Sequence, residues 1–266
     1  MIRTTKLLLI LLSPMLGSTL PTIAQSIVSI EQKGNGSISI VDQFNADDSK
    51  VDVYDTSTDN VSTLIKQEGS NNLVAIMLSG EGHRANLSQI GRFNEILIDV
   101  SGTNSHGHIS QDGQNNKAHF VQNGSLNYGV VQQYQSDNQI SLEQHGNDNF
   151  GTITQEGRER TYLLQEGRSN EAVVDQSGGE NVLKLRQIGG NNGIEISQLN
   201  GGNELVLEQR GYNFNGSIIQ SGDARASIIQ TETGFRGSGN LQVGNFDTSI
   251  SGDLVSYGLI QVRSNE

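Results

Sequence analysis

The chain of 266 residues contains no cysteine, no tryptophan and only two prolines. The absence of cysteine excludes disulfide frameworks and thiolate metal sites. Hydrophobic residues make up only 33% of the chain, which is little for a conventional globular core of this length. Basic residues are also scarce, and the net charge is −12. Because phosphate recognition needs clustered lysine and arginine, we expect no nucleic acid partner.

The first 24 residues have the pattern of a secretory signal. Arg3 and Lys6 form a short positive region, residues 7–12 form an apolar core, and residues 22–24 (Thr-Ile-Ala) form a cleavage site. The apolar run is too short to span a bilayer. We therefore expect a signal peptide at residues 1–24 and a protein that is exported through the periplasm and secreted.

A repeat with a period of about eleven residues follows, and it is most regular from Asn138 to Gln209. In each unit an Asn, two mostly apolar residues and a Gln occupy alternate positions. The Asn and Gln positions of the repeat core are Gln111, Gln122, Gln133, Asn138, Gln144, Asn149, Gln155, Gln165, Asn170, Gln176, Asn181, Gln187, Asn192, Gln198, Asn203, Gln209 and Gln220. A glycine usually follows two residues after the Gln, as at Gly146, Gly157, Gly167, Gly178, Gly189 and Gly211.

Side chains alternate across a β-strand, so the Asn, the two apolar residues and the Gln share one face. Each unit therefore predicts a strand of about seven residues and a short turn, in which glycine supplies a positive φ. Two units make one coil of about 22 residues. Coils stacked in register place identical amides above one another, which gives buried amides hydrogen-bonding partners.

The sequence therefore predicts an all-β fold, a parallel β-solenoid with two facing parallel sheets. An antiparallel meander also fits the period, but it would place Asn opposite Gln and leave the apolar face uncovered. The outward residues Arg186 and Glu208 favour the solenoid, because stacking brings these opposite charges to about 4.8 Å along the sheet.

We expect the solenoid over residues 25–230, with an irregular part at 45–66, and degenerate repeats or a capping end at 231–266. Counting from the turn glycines places Arg160 and Arg225 at Asn positions. The irregular part is rich in aspartate, and its spacing matches no calcium-binding loop, so we interpret it as a solvated acidic rim. These aspartates are Asp47, Asp48, Asp52, Asp55 and Asp59.

No arrangement of residues indicates catalysis. His106 and His108 would share a strand face, but spacing places no third ligand beside them, and metal sites usually need three or four. We therefore expect no catalytic residues, no metal, no cofactor and no enzymatic activity.

Units of the form Gln-x-Gly-x-x-Asn-x-apolar-x-apolar-x-Gln, as from Gln187 to Gln198, resemble curlin repeats. Such repeats build curli, the secreted amyloid fibres of bacterial biofilms. The resemblance covers most of residues 26–230. It implies passage through an outer-membrane secretion pore and nucleated self-assembly at the cell surface, with a nucleator or companion curlin subunit as partner. The chain lacks the Gly-rich leader of the family's major subunit, so the resemblance leaves open the major and the nucleating roles.

Two functions from different classes fit these observations. The first is a structural subunit of an extracellular curli-like fibre, which self-assembles by end-to-end stacking of coils and serves adhesion and the biofilm matrix. The alternative is a monomeric secreted β-solenoid adhesin that binds a ligand on its side.

Overall fold

The structure is a computed structural model. It describes the backbone of residues 4–12, 25–33, 36–231, 234–240 and 249–251, and the side chains of residues 26–33 and 36–231. Strands account for 78% of the structure. In the described segments no helix has the length and apolarity to cross a membrane.

The strands vary from three to ten residues, and most have nine. In chain order they are β1 (Thr4–Leu12), β2 (Gln25–Lys33), β3 (Ile38–Asp47), β4 (Lys50–Asp55), β5 (Ser62–Ser70), β6 (Leu73–Glu81), β7 (Arg84–Arg92), β8 (Glu95–Thr103), β9 (His106–Gln114), β10 (Lys117–Ser125), β11 (Tyr128–Ser136), β12 (Gln139–Asn147), β13 (Phe150–Glu156), β14 (Arg160–Arg168), β15 (Glu171–Ser177), β16 (Val182–Gly190), β17 (Gly193–Leu199), β18 (Glu204–Tyr212), β19 (Asn215–Ser221), β20 (Arg225–Thr231), β21 (Gly234–Asn240) and β22 (Ser249–Ser251).

From β2 to β20 the chain winds alternately between two sheets. The even sheet contains β2, β4 and so on to β20, and the odd sheet contains β3, β5 and so on to β19. Every pairing among these strands is parallel, as in β10 with β12 and β11 with β13. The result is a β-solenoid of about 9 coils with a spacing of about 22 residues. The predicted parallel solenoid is confirmed, and the meander is excluded.

The register keeps each type of residue above its own type. Gln122 pairs with Gln144, and Gly124 pairs with Gly146 on the same two strands. Strands such as β10 have nine residues instead of the expected seven, because pairing continues through the turn glycine into the next residue.

The aspartate-rich part at 45–66 also forms parallel strands, namely β4 and the ends of β3 and β5. Its irregularity lies in its spacing. Gln43 bonds to Gln67, which is 24 residues away instead of 22, and a bulge between Phe44 and Ala46 takes up one of the two extra residues. Bulges insert a residue without ending a strand pair, so the solenoid continues through this segment.

The hydrophobic core is a narrow stack between the two sheets. It is filled by the two apolar positions of each unit, including Ile140, Leu142, Leu183 and Leu185, all buried. Phe120 is the largest fully buried side chain, and a Cβ on Gly129 would lie 2.4 Å from its ring. A large residue on one sheet is thus accommodated by a glycine on the other.

At both ends, antiparallel strands lie on the solenoid. β1 pairs with β2, β21 with β20, and β22 with β19. The predicted signal segment contributes β1, whereas its cleavage site at residues 22–24 lies outside the described residues. Apart from the end of β20 and the strands β21 and β22, the expected degenerate end at 231–266 also lies outside them.

The turns require glycine because successive coils approach each other closely. Gly124 has a φ of 126°, and a Cβ added to it would lie 1.9 Å from the carbonyl oxygen of Gly146. That distance is far below a van der Waals contact, and the φ value itself is strained for any other residue. The glycine column therefore sets how closely the coils can stack.

We expect Gly124→Ala to lower the free energy of unfolding by on the order of 3 kcal/mol, because the new methyl group must push two coils apart. Gly179→Ala is the matched control. Gly179 also has a positive φ, 88°, but a Cβ there meets no atom within 4 Å. It should cost only about 1–2 kcal/mol, the conformational part alone. Denaturant unfolding of both variants checks this, and equal losses would contradict the steric argument.

Candidate functional site

The predicted ladder residues all lie in the interior, and none of them is more than 1% exposed. In the odd sheet the glutamines form one continuous chain of side-chain hydrogen bonds. Each Nε2 donates to the Oε1 of the glutamine one coil later, as from Gln111 to Gln133 at 2.8 Å and from Gln176 to Gln198 at 2.6 Å. The members of this ladder are Gln43, Gln67, Gln89, Gln111, Gln133, Gln155, Gln176, Gln198 and Gln220.

The even sheet carries a second ladder with the same direction, but it starts later. It runs through Gln122, Gln144, Gln165, Gln187, Gln209 and Gln230, with bonds of 2.8–3.1 Å. In the earlier coils the same position is held by Asp55, Leu78 and Val100, which stack on one another. The Oε1 of Gln122 faces Val100 in the register and has no partner among the described residues.

The glutamines also join the two sheets. Most of their Nε2 atoms make a second bond to a backbone carbonyl at the start of the facing strand, as from Gln122 to His106 at 3.1 Å and from Gln144 to Tyr128 at 3.1 Å. In these glutamines both protons of the amide are used, one along the axis and one across the interior. The ladder fixes the position of one sheet against the other as well as the stacking of coils.

The asparagines have a different role from the glutamines. The sequence predicted amide ladders for both residue types, but the asparagine side chains bond mainly to the backbone. The Oδ1 of each accepts the backbone N–H of the equivalent residue one coil later, as in Asn116 to Asn94 at 3.1 Å and Asn203 to Asn181 at 3.0 Å. The Nδ2 donates to turn carbonyls, such as that of Gly113 for Asn94 at 3.0 Å. Asparagine thus satisfies backbone groups that the turn takes out of the sheet ladder.

Residues that sequence reasoning missed take the same role, among them Ser49, whose Oγ accepts the N–H of Asn72 at 3.1 Å, and three further residues. The Nδ1 of His83 accepts the N–H of Ser105 at 3.3 Å, and the Oγ of Ser105 accepts that of Asn127 at 3.3 Å. Glu159 accepts the N–H of Gly179 at 2.6 Å and that of Asn181 at 2.7 Å. All three are fully buried. The signal that could have identified them is their position, six residues before a glutamine or its equivalent.

Arg160 and Arg225 were expected at Asn positions, and this was wrong. Both are exposed, at the outward start of β14 and β20, and Glu159 and Ala224 hold the inward positions. These units have ten residues, and the missing residue is in the turn before the strand. Counting from the turn glycine therefore shifts the assignment by one place, which reverses the face of every side chain.

Asp55 was expected on a solvated rim, and this was also wrong. It is fully buried at a glutamine position of the even sheet. One oxygen, Oδ1, accepts the backbone N–H of Ser57 at 2.8 Å, and Oδ2 has no partner among the described residues. Among those residues no group of three or more His, Cys, Asp or Glu side chains could hold a metal ion.

The predicted turn glycines all have φ values between 100° and 136°. Four of them, Gly146, Gly167, Gly189 and Gly211, stack on one another in the even sheet. A Cβ on any of the first three would lie 1.9–2.0 Å from the carbonyl oxygen of the next glycine in the stack. In the odd sheet Gly157 and Gly178 lie in turns of a different shape, where the nearest atom to such a Cβ is 3.4 Å away for Gly157.

Outside the ladders, opposite charges alternate along the axis. Arg186 lies between two glutamates of neighbouring coils, with nitrogen–oxygen distances of 3.3 Å to Glu166 and 3.8 Å to Glu208. Lys117 lies 3.4 Å from Glu95 in the same way. Each exposed pair contributes little to stability, but the pattern prevents like charges from meeting when coils stack in register.

We expect Gln133→Leu to lower the free energy of unfolding by about 2–4 kcal/mol, because it leaves the Nε2 of Gln111 and the Oε1 of Gln155 without their partner. The neighbouring outward residue Gln132 offers the control, since Gln132→Leu changes no ladder bond and should cost less than about 0.5 kcal/mol. Denaturant unfolding measures both. Similar costs for the two variants would show that the ladder adds nothing specific.

Burial raises the pKa of the Glu159 carboxyl above its ordinary value of 4.5, and the nearby Glu180 raises it further, although N–H donation from Gly179 and Asn181 opposes both. A raised folded-state pKa means that this group favours folding below pH 4.5, and that this contribution is lost as the pH rises through the folded pKa. We therefore expect Glu159→Gln to remove this part of the fall in stability with rising pH. The control is Glu171→Gln, because Glu171 is exposed and is not among the groups that shift the pKa of Glu159. Unfolding free energies measured across this range check the slope, and an unchanged slope in Glu159→Gln would contradict the assignment.

The comparison with known families identifies one segment of the solenoid. Residues 58–91, which contain β5, β6 and most of β7, match the family model of the curlin associated repeat. No curated protein and no solved structure matches the chain. The matched segment has the same coil geometry as the units on either side of it, with glutamines bonded at 22-residue steps. This chain therefore carries a curlin associated repeat at residues 58–91.

Proposed function

We propose that this protein is a structural subunit of an extracellular curli-like amyloid fibre, in which copies stack end to end by their solenoid coils. The observation that carries the proposal is the pair of continuous glutamine ladders. In the odd sheet the ladder runs without interruption from Gln43 to Gln220. The same bond, repeated with the same residue types, can continue from one copy to the next.

Neighbouring coils within one chain already make the contact that would join two copies in a fibre. Each coil presents a row of buried amides, two apolar rows and a glycine column to a nearly identical coil. Parallel strands about 4.8 Å apart with stacked amides and dry interiors are the structural elements of cross-β fibres. The ends of a solenoid are strand edges, which other proteins must protect against association. Among the described strands β3 is a free edge, while β1, β22 and β21 cover β2, β19 and β20. Here the edge would be the functional surface.

Export, localisation and partners belong to the same proposal. The curlin-repeat family is structural, and its members are generally extracellular curli subunits. The signal-like residues 1–24 agree with secretion. An outer-membrane secretion pore and a nucleator or companion curlin subunit would then be the partners besides further copies of this chain, and adhesion and matrix strength would be the biological result.

A monomeric adhesin is the second candidate, and an aromatic row on the odd sheet favours it. Tyr128 and Phe150 stack with ring centroids 5.5 Å apart and an interplanar angle of 4°, and His106 lies 6.2 Å from Tyr128. Both stacked rings are more than a third exposed. Exposed flat aromatic faces are common in ligand-binding surfaces.

Purified protein should polymerise into fibres that diffract at about 4.7–4.8 Å along the fibre axis, and preformed seeds should shorten the lag. Gln132→Leu should polymerise like the wild type, whereas Gln133→Leu should be slowed because each added copy carries a broken ladder. Electron microscopy, fibre diffraction and seeded kinetics measure this. A protein that stays monomeric for days at high concentration would contradict the fibre and favour the adhesin.

A further inference from the structure

We propose that successive copies in the fibre are related by a half-turn about its axis, so that β3 of one copy pairs with β20 of the copy before it. This inference rests on the proposed fibre function and specifies the surface through which two copies join. Three observations carry it: unsatisfied groups at the two ends, the direction of the ladders, and the number of strands in each sheet.

The first observation is a free edge on β3. This strand ends the odd sheet and pairs only with β5. The outward Ile38 donates its N–H to Val61 at 2.8 Å, so the alternate inward residues direct their backbone groups to the open side. One of those inward residues is Gln43, and its Oε1 is buried without a partner among the described residues. At this edge the first ladder glutamine therefore lacks a hydrogen-bond donor for its Oε1.

The second observation is a matching donor at the other end. Every ladder glutamine donates towards the C-terminal side, so each ladder has an acceptor end and a donor end. In the last coil the Oε1 of Gln230 accepts from Gln209 at 3.1 Å, while its Nε2 makes no hydrogen bond to the described residues. The Nε2 of Gln220 donates one of its two protons to the carbonyl of Glu204 at 3.4 Å, and its axial proton has no partner among the described residues. Both ladders therefore end in a donor, and the join to the acceptor on Gln43 must be head to tail.

The third observation is that the two sheets differ by one strand. Of the described strands the even sheet has twelve, including the antiparallel β1 and β21, and the odd sheet has ten, including the antiparallel β22. The parallel solenoid therefore has ten strands on one side and nine on the other. If copies stacked without rotation, one side would lack a strand at every joint. A half-turn exchanges the sides, places β2 over β19 and β3 over β20, and leaves no gap.

The inward rows match in this arrangement. With Gln43 opposite Gln230, Val41 meets Ile228 and Ser39 meets Ala226, so apolar and small residues face each other.

On the other side of the joint, Gln32 meets Gln220 and Ile30 meets Ile218. The joint thus repeats the contact that the chain makes between its own coils, in the same register.

The antiparallel strands at the ends must leave when the joint forms. β21 covers β20, but it contains three glycines and offers Phe235 opposite Gln230, which cannot continue the ladder. β22 pairs over only three residues. β1 covers β2 and lies within the predicted signal segment. Glycine-rich and short strands are weakly held, so a Gln-bearing strand of a second copy would replace them.

Disulfide trapping tests the joint, because the chain contains no cysteine of its own. In the half-turn arrangement the outward Asp42 on β3 lies opposite Ile229 on β20. Stacking without rotation instead places β2 over β20, so that the outward Glu31 lies opposite Ile229 and a missing strand separates Asp42 from β19. Neighbouring strands bring Cα atoms to about 4.8 Å, which is within the range for a disulfide. The test therefore compares Asp42→Cys/Ile229→Cys with the matched control Glu31→Cys/Ile229→Cys, in which the same isoleucine is replaced.

Fibres are grown from each double variant under reducing conditions, oxidised, and analysed on denaturing non-reducing gels. We expect a ladder of covalent oligomers from the first pair and at least tenfold less from the second. Three outcomes would overturn the half-turn joint without contradicting the fibre itself. They are stronger cross-linking of the second pair, equal cross-linking of both pairs, and fibres in which neither pair cross-links. If the wild type forms no fibres, the proposed function itself fails.

Discussion

The hydrogen bond from one glutamine amide to the next, repeated along the axis, is the interaction on which the solenoid depends. A buried amide that lacks partners costs about 1–3 kcal/mol, and here each ladder glutamine finds its side-chain partners in the glutamines one coil away. Gln133 takes its acceptor and its donor from Gln155 and Gln111. A slip of one residue along the strand would turn the glutamines to the outside, so the ladder fixes the register of both sheets.

The two amide residues are not interchangeable, and their substitutions show why. The asparagine position needs only an acceptor for a backbone N–H, so His83, Ser105 and Glu159 all serve. The glutamine position needs a donor and an acceptor at once. In the even sheet it is replaced in three consecutive coils, by Asp55, Leu78 and Val100. Oxygens without a partner among the described residues remain on Asp55 within this block and on Gln122 at its end. Replacements scattered along the ladder would leave an unpartnered amide group at every interruption.

Alternation and period were enough to predict the solenoid, the facing sheets and the inward amides, because each of these follows from the two-residue repeat of a strand. The position of Glu159 and the burial of Asp55 could not be predicted in the same way. A carboxylate reads as a surface residue unless the register is known, and in a ten-residue unit the register depends on which turn residue is missing. Only the backbone shows that the loss precedes Glu159 and not Arg160.

The charge pattern explains why association should favour the ends over the sides. The chain has a net charge of −12. Apart from the buried Asp55 and Glu159, the Asp, Glu, Lys and Arg side chains of the described solenoid lie outward, so two solenoids side by side repel each other. Along the axis positive and negative side chains alternate, as Arg186 does between Glu166 and Glu208, so stacking of coils brings opposite charges together. Once the covering strands β1, β21 and β22 have left, the inward faces of the end strands would present neutral amides and apolar or small residues. The sides of such a solenoid repel one another, whereas its end strands carry ordered, uncharged amides. Copies can therefore add without an electrostatic penalty along the axis of the glutamine ladders.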